Sequence, residues 1–353
     1  MSGDFLVTGA TGFVGAYVLH DLLETQAGTV YCLVRALGDP AVGLHRVRRI
    51  LLQRGLWSDA YADRIVAVPG DLTRPRLGID PATVRTLVAR VRTVIHLAGK
   101  VNWVDDYAAL ETVNTTATSE AGALAEEAGA GIAFLSTLSV FADLSKSNPD
   151  DAPLPPAERL LIGYAEAKRA AERALAAARD RGTRATVFRT ANITGDSKGG
   201  PAPSNQSFTL FVRACRRVGA APREDLFFYD ILPVDYVASL IVAVTTHADL
   251  AGRNYNVVAR RRRENQDVVR RFLRDAWGVR EEPYEEWRQL VLADPESPLG
   301  PLRFLLPEGR PLSNGCAAAN LRAAEAVLGL SEPAVSAAFV EETLSHLDLA
   351  ASG

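Results

Sequence analysis

The chain has few of the residues that commonly build metal centres. It contains three cysteines, five histidines and one methionine among 353 residues. Cys32, Cys215 and Cys316 lie far apart, so they form no metal-binding spacing, and we predict no metal site. This use of cysteine suits a reducing compartment, and we therefore expect a cytoplasmic protein.

Charge of one sign and long apolar runs are also lacking. The formal net charge is -3, without the basic excess that typifies nucleic-acid binding. No uninterrupted apolar run reaches the roughly 18 residues of a membrane span. The first strand-like run begins at residue 5, so we expect no signal peptide. We therefore expect neither a nucleic-acid nor a membrane partner.

Short apolar runs do occur, and they alternate with helical segments through the first half of the chain. Near-continuous apolar runs are typical of strands covered on both faces, and the alternation implies right-handed crossovers. The sequence therefore predicts an α/β fold built on a Rossmann-type doubly wound parallel sheet. The predicted strands are 5–8, 30–34, 65–68, 94–97, 132–135, 186–189 and 254–258, and the predicted helices are 13–24, 41–54, 81–90, 107–128 and 163–181.

The pattern changes after about Gly195, where a loop rich in glycine and proline is followed by a helix at 208–218. The remainder is mainly helical, with proline-rich breaks. We therefore predict two units: a Rossmann domain over 1–195, to which 228–260 returns, and a smaller, mainly helical C-terminal substrate lobe made of 196–227 and 261–353.

Three glycines after the first strand have the spacing of a dinucleotide-binding turn. Gly9 permits the tight turn, Gly12 lets the backbone approach a pyrophosphate, and Gly15 allows close contact between helix and strand. The helix that begins near Phe13 directs its first N–H groups at that anion. The alternative, an ordinary glycine-rich turn, is disfavoured because the motif lies between a predicted strand and a predicted helix.

The end of the second strand indicates which dinucleotide binds. NAD sites carry a carboxylate there, whereas this chain has Arg35, twenty residues after Gly15. A cation suits a ribose 2′-phosphate, and Arg46 in the next helix is a second candidate for it. We therefore predict NADPH rather than NADH. Asp71, after the third strand, is a candidate for the adenine amine, with a turn or helix-cap role as the alternative.

A hydroxyl, a phenol and an ammonium follow the fifth strand. Tyr164 and Lys168 are four residues apart on a predicted helix, so their side chains share one face. We expect the ammonium to lower the pKa of the phenol, which would stabilise a developing alkoxide. Thr137 is predicted to contact the same oxygen, with Ser136 and Ser139 as alternatives for that role.

These motifs resemble the extended short-chain dehydrogenase/reductase superfamily. Within it they are similar to thioester reductase domains, the terminal reductases of nonribosomal peptide and polyketide synthases and of carboxylic acid reductases. The resemblance covers about residues 4–260, and the matching stretches are 5–15, 32–36 with Arg46, 55–57, 70–72 before 77–78, 96–99 with 101–102, 113–114 and 232–237.

The resemblance implies an NADPH-dependent oxidoreductase that acts on a thioester carried by the phosphopantetheine arm of an acyl or peptidyl carrier protein. It implies release of an aldehyde or, after a second hydride, an alcohol, within a larger megasynthase. It also extends the cofactor site beyond the glycines, arginines and Asp71 to Thr11, Phe13, Val14, Leu72, Ala98, Gly99, Ala191 and Ile193, together with Tyr164 and Lys168.

One stretch departs from this pattern. Residues 189–192 read Arg-Thr-Ala-Asn where many relatives carry Arg-Pro-Gly, a difference in backbone freedom and polarity beside the expected nicotinamide. We expect it to alter the seating of the nicotinamide or the contacts of the substrate.

Three other functions share the same motifs: another extended-superfamily enzyme such as a sugar epimerase or ketone reductase, a non-reductive Dieckmann-type release domain, and an NADP-sensing binding module. Leu33-Val34-Arg35 and Gly55-Leu56-Trp57 favour the thioester reductases over the first. The intact Thr137, Tyr164 and Lys168 disfavour the other two.

Overall fold

A seven-stranded parallel sheet forms the centre of the computed structural model, which describes residues 3–141, 143–144, 146–157, 160 and 162–345. The strands are β1 (Asp4–Thr8), β2 (Val30–Val34), β3 (Ile65–Pro69), β4 (Val91–His96), β5 (Gly131–Thr137), β6 (Ala185–Thr190), β7 (Asn192–Thr194), β8 (Ala220–Pro222), β9 (Ile231–Pro233), β10 (Asn254–Val257) and β11 (Arg280–Glu282). The central sheet has the order β10-β6-β5-β4-β1-β2-β3, so the α/β prediction is confirmed.

Helices connect and cover these strands. They are α1 (Phe13–Thr25), α2 (Pro40–Gln53), α3 (Pro81–Arg90), α4 (Tyr107–Leu110), α5 (Ala117–Glu127), α6 (Gly163–Asp180), α7 (Ser207–Val218), α8 (Val234–Thr246), α9 (Arg262–Trp277), α10 (Tyr284–Ala293), α11 (Ala319–Leu328) and α12 (Ala337–Ser345). A π-helical turn, Glu111–Thr116, interrupts the predicted helix 107–128 between α4 and α5. Among the described residues, none of the helices has the length and apolar character needed to cross a membrane.

Alternate residues of β1 enter two different cores because successive side chains of a strand point to opposite faces. Phe5 and Val7 are buried against α1 and α8, whereas Leu6 is buried against α5 and α6. Both faces of the sheet are therefore covered by helices, which explains the near-continuous apolar character of the strands.

The order of the strands reverses beside β1, which pairs with β2 on one side and β4 on the other. Thr8 lies opposite His96 in this register, so the chain segments that follow β1 and β4 leave the sheet side by side. In doubly wound sheets the crevice at such a reversal is where ligands bind.

The C-terminal half contributes a second apolar core. Phe211 of α7 stacks on Phe228 with ring centroids 4.7 Å apart and meets Trp287 of α10 edge-on at 5.6 Å. From the segment predicted as the substrate lobe, α11 instead packs on β10 and α8, where Leu321 and Ala324 join the core around α1. The two-unit division of the chain stays a prediction.

A buried ion pair connects three elements of the sheet region. The Arg189 guanidinium on β6 donates to Glu172 of α6 at 2.8 and 3.0 Å, and both side chains are 3% exposed. Ser136 on β5 donates its hydroxyl to the same carboxylate, and Arg189 also donates to the carbonyl of Asp150 at 2.8 Å. The pair thereby fixes β5, β6 and α6 relative to one another.

We expect Arg189→Met to lower the free energy of unfolding by about 3–5 kcal/mol, because it removes the guanidinium that is hydrogen-bonded to the buried Glu172 carboxylate. The double variant Glu172→Leu/Arg189→Met removes both charges and should recover at least half of the loss. Urea-induced unfolding of the three proteins measures both effects. A double variant no more stable than Arg189→Met would contradict the assignment of the loss to a carboxylate without its guanidinium.

Candidate functional site

Two adjoining cavities lie where the central strands end. The larger, about 600 Å³, is lined by the turn after β1, and we call it the glycine cavity. The smaller, about 290 Å³, is lined by Tyr164 and Lys168, and we call it the tyrosine cavity. Leu97 and Gly99 line both, so the two cavities form one continuous crevice at the predicted position.

Glycine is required at two positions of the turn after β1. Gly9 has a φ of +78°, and a Cβ there would lie 2.7 Å from the backbone nitrogen of Ala98. A Cβ on Gly15 would lie 1.9 Å from the carbonyl oxygen of Gly9. The N–H of Gly12 donates to that same carbonyl at 2.8 Å, and no side chain caps α1 at Gly12. This cradle, which a Cβ would fill, and the uncapped helix start suit a pyrophosphate.

Both candidate arginines line the glycine cavity. Arg46 donates to the backbone carbonyl of Arg35, which anchors it beside the end of β2. The guanidinium of Arg35 is exposed and makes no hydrogen bond or ion pair with a described residue. Its charge is therefore available to an anion that enters the cavity.

Asp71 also lines the glycine cavity, but its carboxylate is partly engaged. One oxygen accepts from the backbone N–H and the hydroxyl of Thr73, at 2.9 and 2.7 Å, and these bonds hold the pKa of Asp71 below its usual value. Asp71 thus stabilises the turn after β3, the alternative considered from the sequence, while remaining at the wall of the cavity.

The three candidate catalytic side chains line the tyrosine cavity together. Thr137 ends β5, while Tyr164 and Lys168 lie one helical turn apart at the start of α6. The hydroxyl of Ser136 is directed at Glu172, whereas Thr137 donates to Ser139 at 3.3 Å within the cavity wall. Among the three hydroxyls, this geometry disfavours Ser136 and leaves Thr137, with Ser139 beside it, at the cavity for the predicted role.

The expected lowering of the tyrosine pKa is not found. The Tyr164 ring is buried, and this burial raises the pKa of its phenol above the ordinary value. The ammonium of Lys168 donates to the carbonyl of Leu135 at 2.8 Å, and burial lowers its own pKa to about 8. Tyr164 is therefore a neutral hydroxyl, able to donate a hydrogen bond, rather than a phenolate.

A loop between β4 and α4 covers Tyr164. Trp103 in this loop meets the Tyr164 ring edge-on, with centroids 5.7 Å apart. Asn114, in the π-helical turn, holds the loop by accepting from the N–H of Lys100 at 2.7 Å and donating to its carbonyl at 2.9 Å. Close packing at the start of α6 also requires Gly163, whose Cβ would lie 2.4 Å from the backbone nitrogen of Tyr107.

The far wall of the tyrosine cavity comes from the C-terminal half of the chain. Asn192, from the stretch that departs from the Arg-Pro-Gly pattern, donates to the carbonyls of Phe227 and Asp230 at 3.0 and 3.2 Å. Its side chain therefore attaches the far wall to β7. The sequence assigned no site role to the residues that form this wall: Pro203, Asn205, Gln206, Ser207, Phe227, Leu305 and Asn314.

The crevice brings the predicted site residues together, with Gly15 packed beneath the turn. Their roles remain predictions. Among the described residues, no group of three or more His, Cys, Asp or Glu could hold a metal ion. The glycine cavity is lined by Gly9, Thr11, Gly12, Arg35, Arg46, Asp71, Leu72, Ala98 and Gly99, and the tyrosine cavity by Phe13, Val14, Gly99, Thr137, Tyr164, Lys168, Ala191 and Ile193.

We expect the apparent second-order rate constant, kcat/KM, to fall on the alkaline side with a pKa near 8. Burial has lowered the pKa of Lys168 to about 8, so its ammonium is present below that pH and is lost as the pH rises through it. Because kcat/KM reports the groups of the free enzyme, a pH profile from 6 to 10 measures this loss. Lys168→Met should be less active, and its pH profile should lack the alkaline fall in kcat/KM. An unchanged alkaline fall in this variant would mean that another group causes it.

Comparison with known proteins places this crevice in a family. Residues 7–241 match an NAD-binding family described as male sterility protein. The chain is 34% identical, over 67% of its length, to glycine betaine reductase ATRR of Emericella nidulans and covers 19% of that protein. It is 32% identical, over 82% of its length, to one subunit of the linear gramicidin synthase of Brevibacillus parabrevis and covers 6% of it. The chain thus spans less than a fifth of the length of either relative.

The similarity extends to solved structures. The terminal R domain of the myxalamid PKS-NRPS biosynthetic pathway superposes with a TM-score of 0.85 and 30% sequence identity. The match covers 99% of this chain and 91% of that domain, so it includes the C-terminal helices that the sequence resemblance did not reach.

Proposed function

This chain belongs to the male sterility protein family of nicotinamide-dependent reductase domains, and we propose that it releases an acyl group from a carrier-protein thioester by NADPH-dependent reduction. The observation that carries the proposal is the continuous crevice, in which a dinucleotide turn adjoins a cavity lined by Thr137, Tyr164 and Lys168. A nicotinamide enzyme that reduces a carbonyl group needs this juxtaposition.

The glycine cavity would hold the cofactor, which supplies a hydride when bound. The backbone around Gly9 and Gly12 suits its pyrophosphate, and the free guanidinium of Arg35 supports NADPH over NADH. Arg46 adds a second positive charge at the same wall. Lys168, at the boundary with the tyrosine cavity, would donate to the nicotinamide ribose.

The tyrosine cavity would bind the thioester carbonyl. As its carbon is reduced, negative charge develops on the oxygen, and hydrogen-bond donors already in place stabilise that charge most effectively. The neutral phenol of Tyr164 is such a donor, and Thr137 becomes one when its hydroxyl turns from Ser139 to the oxygen. Tyr164 can also transfer its proton to the oxygen. The raised pKa of the phenol keeps it protonated, so its O–H is present as a hydrogen-bond donor. Departure of the pantetheine thiol then leaves an aldehyde, which the same groups could serve in a second reduction to an alcohol.

The proposed partner is an acyl or peptidyl carrier protein that bears a phosphopantetheine arm. Support comes from the relatives, which include part of a peptide synthase and the terminal domain of a polyketide–peptide pathway. We propose that this chain works in the same setting, as part of a larger cytoplasmic synthase, with a Rossmann domain over 1–195 and 228–260 and a substrate lobe over 196–227 and 261–353.

We expect Tyr164→Phe to reduce turnover of an acyl-pantetheine thioester by about 100-fold or more, because the variant loses the proton donor but keeps the ring. NADPH absorbance, with mass spectrometry of the product, measures the change. Tyr31→Phe is the matched control, since Tyr31 packs in the core and lines neither cavity. Binding of NADPH without any consumption in the wild-type protein would refute reductive release.

We expect Arg35→Ser to lower kcat/KM for NADPH by about 10–150-fold while leaving kcat/KM for NADH nearly unchanged. A hydrogen bond to a charged group contributes about 1.5–3 kcal/mol, and only NADPH carries the 2′-phosphate that would use it. Arg48→Ser is the control, because Arg48 is exposed on α2 and lines neither cavity. Equal losses with both cofactors would assign Arg35 a structural role instead.

A further inference from the structure

The wall of the tyrosine cavity is nearly free of charge. Among the described residues that line it, Lys168 alone has a side chain that is charged near neutral pH. That ammonium is 5% exposed, donates to the carbonyl of Leu135 and lies 4.5 Å from the centre of the Phe134 ring. It is therefore committed to the reacting end of the cavity and cannot neutralise a charge elsewhere along a substrate.

Away from Tyr164 the wall is mostly apolar. Leu138, Ile193 and Leu305 line it with little exposure of their own, and Phe227 lines it where its ring packs 4.1 Å from that of Phe228. A carboxylate or ammonium placed among these groups would lose water without gaining a counter-charge, at a cost of several kcal/mol. The wall therefore selects against charged acyl chains.

Neutral polar groups are nevertheless present, and the carboxamides among them fall into two sets. Asn192 and Asn314 are fully engaged within the protein: Asn192 bonds Phe227 and Ser207, and Asn314 donates to Asp230 while accepting from the N–H of Cys316 at 3.0 Å.

The other set consists of Asn205 and Gln206, at the start of α7. Both residues line the cavity, Asn205 exposed at its rim and Gln206 half-buried, and neither carboxamide makes a hydrogen bond with a described residue. A carboxamide both donates and accepts, so each can pair with an amide or hydroxyl group of a ligand. Two carboxamides without a partner in the described part of the protein, at the accessible rim of an uncharged wall, thus point to neutral polar groups on the substrate.

We propose that the acyl group reduced by this chain is uncharged and largely apolar, with neutral hydrogen-bonding groups, such as amides, beside Asn205 and Gln206. The proposal rests on the proposed function, since it concerns the substrate of the same site. It excludes acyl chains that place a carboxylate or an ammonium inside the tyrosine cavity.

Pairs of pantetheine thioesters that share an acyl chain, one charged and one neutral at its end, test the proposal. One pair is the adipic acid monothioester and its terminal primary amide, and a second pair is the 6-aminohexanoyl and 6-acetamidohexanoyl thioesters. We expect kcat/KM with NADPH to be about 100-fold higher for the neutral member of each pair. Reduction of the carboxylate or the ammonium compound as fast as its neutral partner would overturn the proposal.

Binding of unreactive analogues distinguishes an absence of selectivity for neutral acyl groups from an absence of the proposed reduction. In these analogues an amide nitrogen replaces the thioester sulfur, and calorimetry with the NADPH-loaded protein measures their affinity. If no thioester is reduced but the neutral analogues still bind more tightly, the reduction is refuted and the selectivity stands. Equal affinity within each pair overturns the selectivity, whether or not reduction occurs.

A change of one wall residue tests whether the selectivity against charged acyl groups arises beside Gln206. Gln206→Glu adds a carboxylate at the N-terminus of α7, where the helix tolerates negative charge. The ratio of kcat/KM for the ammonium over the acetamide substrate should rise at least tenfold. Gln53→Glu makes the same change at the exposed end of α2, outside both cavities, and should leave the ratio unchanged. Equal ratios in the two variants would contradict a role of Gln206 in the wall.

Discussion

The candidate catalytic groups depend on one buried interaction, the ion pair between Glu172 and Arg189. Glu172 follows Lys168 by one helical turn on α6, and it accepts a hydrogen bond from Ser136, the residue before Thr137. Arg189 precedes the segment of β6 and β7 that lines the tyrosine cavity. Buried charges are costly unless every donor and acceptor is matched, so few arrangements of these three elements are tolerated. We infer that the pair fixes the geometry of the site, although it lies behind the site.

The features found from the sequence are those that short stretches of chain determine. The apolar runs and their alternation with helical segments locate the strands of the sheet. The glycines at 9, 12 and 15 mark the turn, and at Gly9 and Gly15 only a missing Cβ permits its close contacts. Spacing alone places Tyr164 and Lys168 on one face of α6. The direction of the predicted Tyr164 pKa shift was wrong because burial raises this pKa and the Lys168 ammonium makes no resolved contribution to it. Trp103, one of the residues that cover the ring, lies 61 positions before Tyr164.

The far wall could not be predicted because its parts meet only in the folded chain. Gln206 and Asn314 line one cavity although more than a hundred residues separate them. The replacement of the Arg-Pro-Gly pattern at residues 189–192 was visible in the sequence, but the contact that Asn192 makes was not. Asn192 uses its carboxamide to join β7 to the segment around Phe227. A local departure from a family pattern thus contributes to a contact between distant parts of the chain.

The crevice is open to solvent along its length. Arg35 is exposed at the glycine cavity, Val101 and Asn205 are exposed at the tyrosine cavity, and Gly99, which lines both, is exposed where they adjoin. In such an open crevice, an occupant of one cavity can leave without passing through the other. With both cavities occupied as proposed, the number of hydrides delivered to one acyl group is set by whether the product or the spent cofactor dissociates first.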